Sequence, residues 1–149
     1  MAMAKSYEEL EVWRKSHQVV LSVYRTTRSF PREEMFGLTS QVRRASASAP
    51  ANIAEGFRRT TKAEKARFYN IALASLDEAR YHLLLAHDLG YAGTVRLREQ
   101  VDEVARMLHS YARAIVASDR SGRSTRTYGM GCLAAGALPY FYWLLASDF

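Results

Sequence analysis

Cysteine appears once in the 149 residues, at Cys132, so no internal disulfide can form and a reducing, cytoplasmic setting is expected. The opening MAMAKSYEELEVW turns acidic early and has no apolar run, so it does not read as a secretory leader. No segment alternates apolar and polar residues in the manner of a strand, which removes sheet folds. Proline is limited to three positions: Pro31 breaks a helical pattern, Pro50 sits inside one, and Pro139 interrupts an apolar stretch. Catalytic parts are also missing. The glycines never form the phosphate-cradling G-x-x-x-x-G-K, and no nucleophile–base–acid set can be assembled. A metal site in a helical bundle wants Glu-x-x-His pairs on facing helices, whereas Glu78 and His82 are four apart, His82 and His87 five apart, and no second pair exists. No enzyme activity, metal or cofactor is therefore expected, and His17, on an apolar face, reads as a core histidine.

What is present is positive charge. Lys and Arg number 21 against 15 Asp and Glu, a net charge of +6, and all but Lys5, Lys15, Lys62 and Lys65 of the basic residues are arginine. Such a balance favours an anionic partner, with nucleic acid ahead of a membrane surface. The plainer alternative is a basic protein in which arginine has simply replaced lysine.

Apolar periodicity yields four helices. The first is expected from about Tyr7 to Arg28, with Leu10, Trp13, His17, Val20, Leu21 and Tyr24 facing the core, before RSFPREEMFG turns the chain. The second runs from about Leu38 to Arg59. The third follows RRTTKAEK, where Thr61 and Glu64 have capping-box spacing; it carries Phe68, Ala72, Leu76, Ala79 and Leu83 and stops at Leu89-Gly90. The fourth begins near Thr94, a candidate N-cap, with Leu97, Val101, Val104, Leu108, Tyr111 and Ile115 in steps of four and three. Short connections predict an all-α, up-down antiparallel four-helix bundle over residues 1–118. From 119 to 149 the composition changes to a Gly/Ser/Arg linker and then the apolar CLAAGALPYFYWLLA. The window is just long enough for a tail anchor, but Gly131, Gly136 and Pro139 interrupt it and favour a segment that packs on a neighbour or an extension under little selection.

The stretch QVRRASASAPANIAEGFRR holds Pro50 in the middle of the second helix. Leu38, Val42, Ala45, Ala49, Ile53 and Phe57 keep one register through it, so a single kinked helix is expected rather than two. Ser46 loses its acceptor duty to residue 50, and a hydroxyl such as that of Ser48, or a water, would compensate. A polar stripe of Gln41, Arg44, Ser48, Asn52, Glu55 and Arg59 lies beside the apolar one. Directional groups around a rigid bend suit an oligomer or partner seam, assigned here to Gln41, Arg44, Ser48, Pro50, Asn52, Glu55 and Gly56; the alternative is an ordinary solvated face. Arg43, Arg44, Arg58, Arg59, Lys62, Lys65 and Arg67, against only Glu55 and Glu64, form the candidate phosphate-binding group. No aromatic-rich basic strand suggests base stacking, so little base specificity is expected.

These residues also carry a resemblance. Gln41, Arg44, Ala45, Ser48, Pro50, Asn52, Ile53, Ala54, Glu55 and Gly56 match a Q-x-x-R-A-x-x-S-x-P-x-N-I-A-E-G run. Phe30, Pro31, Glu33 and Glu34 match F-P-x-E-E upstream, and Glu78 and Leu89-Gly90-Tyr91 match downstream. Over about Tyr7 to Ser118 the chain resembles the four-helix bundle proteins encoded in intervening sequences of bacterial large-subunit ribosomal RNA genes, and the accessory protein of diversity-generating retroelements. It departs at Ala74-Ser75, where that family has Gly-Ser. The resemblance implies a homopentamer with a basic surface that binds RNA or DNA, or that partners a reverse transcriptase.

Overall fold

The computed structural model describes residues 4–117. The linker and apolar segment therefore lie outside the described residues. Four helices follow in order: α1 (Glu11–Thr26), α2 (Leu38–Arg58), α3 (Lys62–Asp88) and α4 (Val95–Ala117). α2 packs on α3, α3 on α4, α4 on α1 and α1 on α2, so α1 and α3 stand diagonally across the bundle. With connections this short, neighbours run antiparallel. Among the described residues the fold is all-α, as expected.

The first helix is shorter than its periodicity suggests. A 3₁₀ turn spans Tyr7–Glu9, Leu10 is extended (φ −73, ψ 122), and a second 3₁₀ turn covers Thr27–Ser29. Its buried face also differs from the expected one. Val12, Ser16, Val19 and Val23 point inward, while Leu21 and Tyr24 are 40% and 45% exposed. α1 must fit between α2 and α4, and that slot takes narrow side chains. The wide ones lie along its edge, where Trp13 donates from Nε1 to the Pro50 carbonyl at 3.1 Å and stacks on His17 at 5.3 Å. His17 is thus a half-buried stacking partner rather than a core residue.

α2 and α3 make the interior. Val42, Ala45, Ala49, Ile53, Ala72, Leu76, Ala79, Leu83 and Ala86 are nearly or wholly inaccessible, and Val101, Val104 and Leu108 of α4 close the core. Each large apolar side chain buried here contributes about 1.5–3 kcal/mol, while the alanines let the helix axes approach. Gly56 marks a close approach of α2 to α3: a Cβ there would lie 2.6 Å from Cε1 of Tyr69 and 3.1 Å from Cβ of Phe68. One helix of the bundle is bent by 37°, and α2 contains the internal proline. It ends at Arg58, one residue earlier than expected, because Arg59 is extended.

Helix ends are closed by named groups. Thr61 accepts from the Glu64 amide at 3.3 Å and donates to the Glu64 carboxylate at 2.8 Å, a variant of the capping box. α3 ends in a Schellman motif: Gly90 sits at φ +75, its amide bonds to His87, and the Tyr91 amide bonds to Ala86. Thr94 is placed where a cap was expected, but its buried hydroxyl donates to the Leu83 carbonyl at 2.6 Å. The start of α2 is capped from outside by Glu34, whose Oε2 accepts from the Leu38 amide at 2.8 Å and whose Oε1 accepts from the Tyr91 hydroxyl at 3.2 Å.

Candidate nucleic-acid interface and partner seam

The polar stripe of α2 faces two ways. Ser48 Oγ lies 2.9 Å from Ser75 Oγ of α3, and Ser75 donates in turn to the Ile71 carbonyl. Asn52 Nδ2 donates to the Ser48 carbonyl at 2.8 Å and to its hydroxyl at 3.1 Å. The Ser48 hydroxyl is therefore engaged with Ser75 and Asn52, so of the two expected compensations for the Ser46 carbonyl, a hydroxyl or a water, it does not supply the first. Arg44 donates to Gln41 at 2.7 Å and stands 3.9 Å from Glu78, which is 3.6 Å from Nε2 of His82. Glu55 pairs with Arg59. Pro50 and Gly56, also assigned to the seam, are buried against α1 and α3.

Of the seven seam residues, Ser48 and Gly56 thus hold α2 to α3, and Pro50 lies on the α1 side. What remains outward is Arg44, with 73% of its side chain exposed, together with Glu55 and the edges of Gln41 and Asn52. Ile71 and Tyr81, 39% and 59% exposed, lie on α3, the helix that this stripe meets. Exposed apolar side chains beside hydrogen-bonding groups make a mixed surface of the kind found at protein contacts.

The seven basic residues do not form one patch. Arg43 is drawn to the α1 side, donating from Nε to Thr27 at 2.8 Å with its guanidinium 4.9 Å from the Tyr24 ring centre. Arg44 points to α3. Both lie about 22 Å along α2 from Arg58, at 1.5 Å per residue. The other five gather at the α2–α3 turn, at one end of the bundle. Of these, Lys65 donates to the Phe57 carbonyl at 2.7 Å and to the Gly56 carbonyl at 3.4 Å, closing the C-terminus of α2 and complementing its dipole. Arg59 lies over Phe68 at 4.7 Å. Arg58 and Arg67 are exposed.

The sequence reading named Phe30, Glu34 and Tyr91 only as matches to the family runs and gave them no structural role. Phe30 packs on Tyr91 with ring centres 5.9 Å apart, and Glu34 accepts from the same Tyr91, so the F-P-x-E-E and L-G-Y runs form one cluster. Their shared position at the ends of antiparallel helices was the available signal. Among the described residues, no group of three or more His, Cys, Asp and Glu lies within reach of one metal ion, and no helix is long and apolar enough to cross a membrane.

An all-α up-down bundle with a proline-bent second helix, locked to the third by small and polar residues, is the class these features define. The chain belongs to the 23S rRNA-intervening sequence protein family, whose sequence pattern matches residues 8–110. Its fold is similar to that of a protein of unknown function from the S23 ribosomal protein family of Bacteroides thetaiotaomicron. That likeness has a TM-score of 0.63 at 24% identity, covering 68% of this chain and 95% of the other. No curated protein matches the chain.

Proposed function

We propose that this protein is a non-enzymatic, self-assembling helical scaffold that binds nucleic acid through the α2–α3 turn with little base specificity. One observation carries the reading. Residues 55–67 hold five cations, Arg58, Arg59, Lys62, Lys65 and Arg67, against two acids, Glu55 and Glu64, at one end of the bundle, and Arg58 and Arg67 stand exposed there. Repeated in each copy of an assembly, that excess makes a field suited to phosphates. Family membership points to RNA as the first polymer to test. A chain without an internal disulfide fits action in the cytoplasm.

Arg58→Ser and Arg67→Ser remove the two turn cations that are exposed and leave the α2 cap untouched. The slope of log affinity for structured RNA against log salt should flatten by about one for each phosphate that is no longer neutralised. Arg28→Ser with Arg96→Ser, exposed at the other end of the bundle, is the charge-matched control. Equal losses would mean that only net charge is being read, and no binding at low salt would refute the proposal.

The second reading, a module holding a partner polypeptide such as a reverse transcriptase, is favoured by exposed Ile71 and Tyr81 next to the polar stripe. The same surface serves self-assembly. Asn52→Leu should lower the oligomer fraction in light scattering more than Arg106→Leu does, and equal effects would remove the stripe from the assembly.

A further inference from the structure

A groove between α3 and α4 opens beside the basic turn. The Arg80–Asp102 pair, 2.6 Å from Nε to Oδ1, sets the register of these antiparallel helices. Moving from that pair toward the turn, Leu73 comes level with His109 and Asn70 with Ala112. Half-buried Leu73 and Ala112, with Val116, give the groove an apolar floor, while exposed Asn70, His109 and Arg113 form its rim; its volume is about 370 Å³. His109 and Arg113 are four residues apart and so share one face of α4.

The polar groups of the rim are not engaged elsewhere. Among the described residues, Asn70, His109 and Arg113 make no hydrogen bond, ion pair or ring contact. Neither does exposed Arg67, which precedes Asn70 by three residues on α3 and joins the groove to the turn. No carboxylate lines the groove among the described residues. Of the acids nearest to it, Glu64 accepts from the Thr61 hydroxyl at 2.8 Å, and Asp102 and Glu103 are paired with Arg80 and Lys15. Asp77 stands one turn beyond Leu73, level with Ala105 and so near Arg106. The charge around the groove is therefore positive.

An apolar floor under a cationic rim fits a flat, uncharged ring carried on an anionic backbone. Bases splayed from RNA loops and bulges are such rings: they stack on histidine or on arginine guanidinium planes and are read by hydrogen bonds to their edges. His109 and Arg113 are two stacking groups, and the Asn70 amide offers a donor and an acceptor from the opposite helix. We infer that the α3/α4 groove receives one unpaired nucleobase of a bound RNA, while Arg67 and Arg58 hold the flanking phosphates. The inference rests on the proposed binding at the turn and sharpens it, since a base inside a continuous duplex has no free face to offer. Stacking accepts any base, so base specificity stays low.

The test uses the full chain with a blunt RNA duplex and the same duplex carrying one bulged uridine. The bulged RNA should bind about tenfold tighter, within what the stacking of one base contributes. Asn70→Ala with His109→Ala, at exposed helical positions and without change of formal charge, should cut that preference below twofold, circular dichroism confirming a folded bundle. With 4-thiouridine at the bulge, irradiation should cross-link the RNA to residues 66–73 or 109–116. Equal binding of the two RNAs by the native chain would overturn the inference and leave the proposed function standing, whereas no binding of either at low salt would fell both. Cross-links mapped elsewhere, or an equal loss of both RNAs in the double variant, would also overturn it. So would a double variant that keeps the preference but changes the oligomer in light scattering, for the groove would then be a contact with a second copy.

Discussion

Gly56→Ala tests how tightly α2 and α3 are locked. The added Cβ would stand 2.6 Å from Cε1 and 3.1 Å from Cδ1 of Tyr69, and 3.1 Å from Cβ of Phe68. The Tyr69 ring has no easy retreat, being fully buried and packed on Tyr111. Forcing one carbon into so tight a space costs about 1–3 kcal/mol. Against this, alanine is favoured over glycine in a helix interior by about 1 kcal/mol, and less at position 56, two residues before the end of α2. The net is a loss of about 1 kcal/mol, or roughly 3–6 °C in Tm for a domain of this size. Urea unfolding at one fixed protein concentration, followed by far-ultraviolet circular dichroism, measures it. Ala51→Gly, at an exposed position of the same helix, calibrates the propensity difference alone. If Gly56→Ala is stabilising by as much as Ala51→Gly is destabilising, the Tyr69 ring gives way freely and the close approach is no constraint.

Two further expectations concern charge. Lys65→Met should lower stability by about 0.5–1 kcal/mol, because the Phe57 carbonyl and the dipole of α2 lose their partner; an unchanged urea midpoint would show that water caps α2 equally well. The Lys15–Glu103 pair joins α1 to α4, and the hydrogen bond between them lowers the Glu103 pKa and raises that of Lys15. The carboxylate's contribution is therefore full above its ordinary value of 4.5 and is lost as pH falls through the lowered one. The ammonium's is full below 10.5 and is lost as pH rises through the raised value. Glu103→Gln should weaken both the acid and the alkaline dependence of Tm, and unchanged slopes on both sides would deny the pair any role.

The parts of the fold legible in the sequence are those fixed by local chemistry. The stripe of α4, the Thr61–Glu64 spacing and the Leu89-Gly90 stop each depend on residues a few positions apart. The inward face of α1 was not legible, because periodicity ranks Trp13, Leu21 and Tyr24 as more apolar than Ser16, and only the width of the slot between α2 and α4 reverses that order. The site was legible as a run of cations but not as a surface. Whether a lysine is available depends on what it meets: Lys65 follows a short turn that sets it beside the last carbonyls of α2, and Arg43 crosses to Tyr24 and Thr27 on another helix. The polar stripe was visible, yet its division between α3 and the outside required knowing that Ser48 meets Ser75 and Arg44 approaches Glu78.

Glu34 has a consequence for the loop that it closes. Its carbonyl accepts from the Gly37 amide at 3.1 Å and its carboxylate from the Leu38 amide at 2.8 Å, so the backbone is pinned on both sides of Met35 and Phe36. A loop pinned in this way cannot fold back over the bundle, and Phe36 stands 90% exposed. Full burial of that ring is worth about 1.5–3 kcal/mol. A surface that covered it would gain this without first having to order the segment that carries it, because the freedom usually lost on association has already been removed in folding.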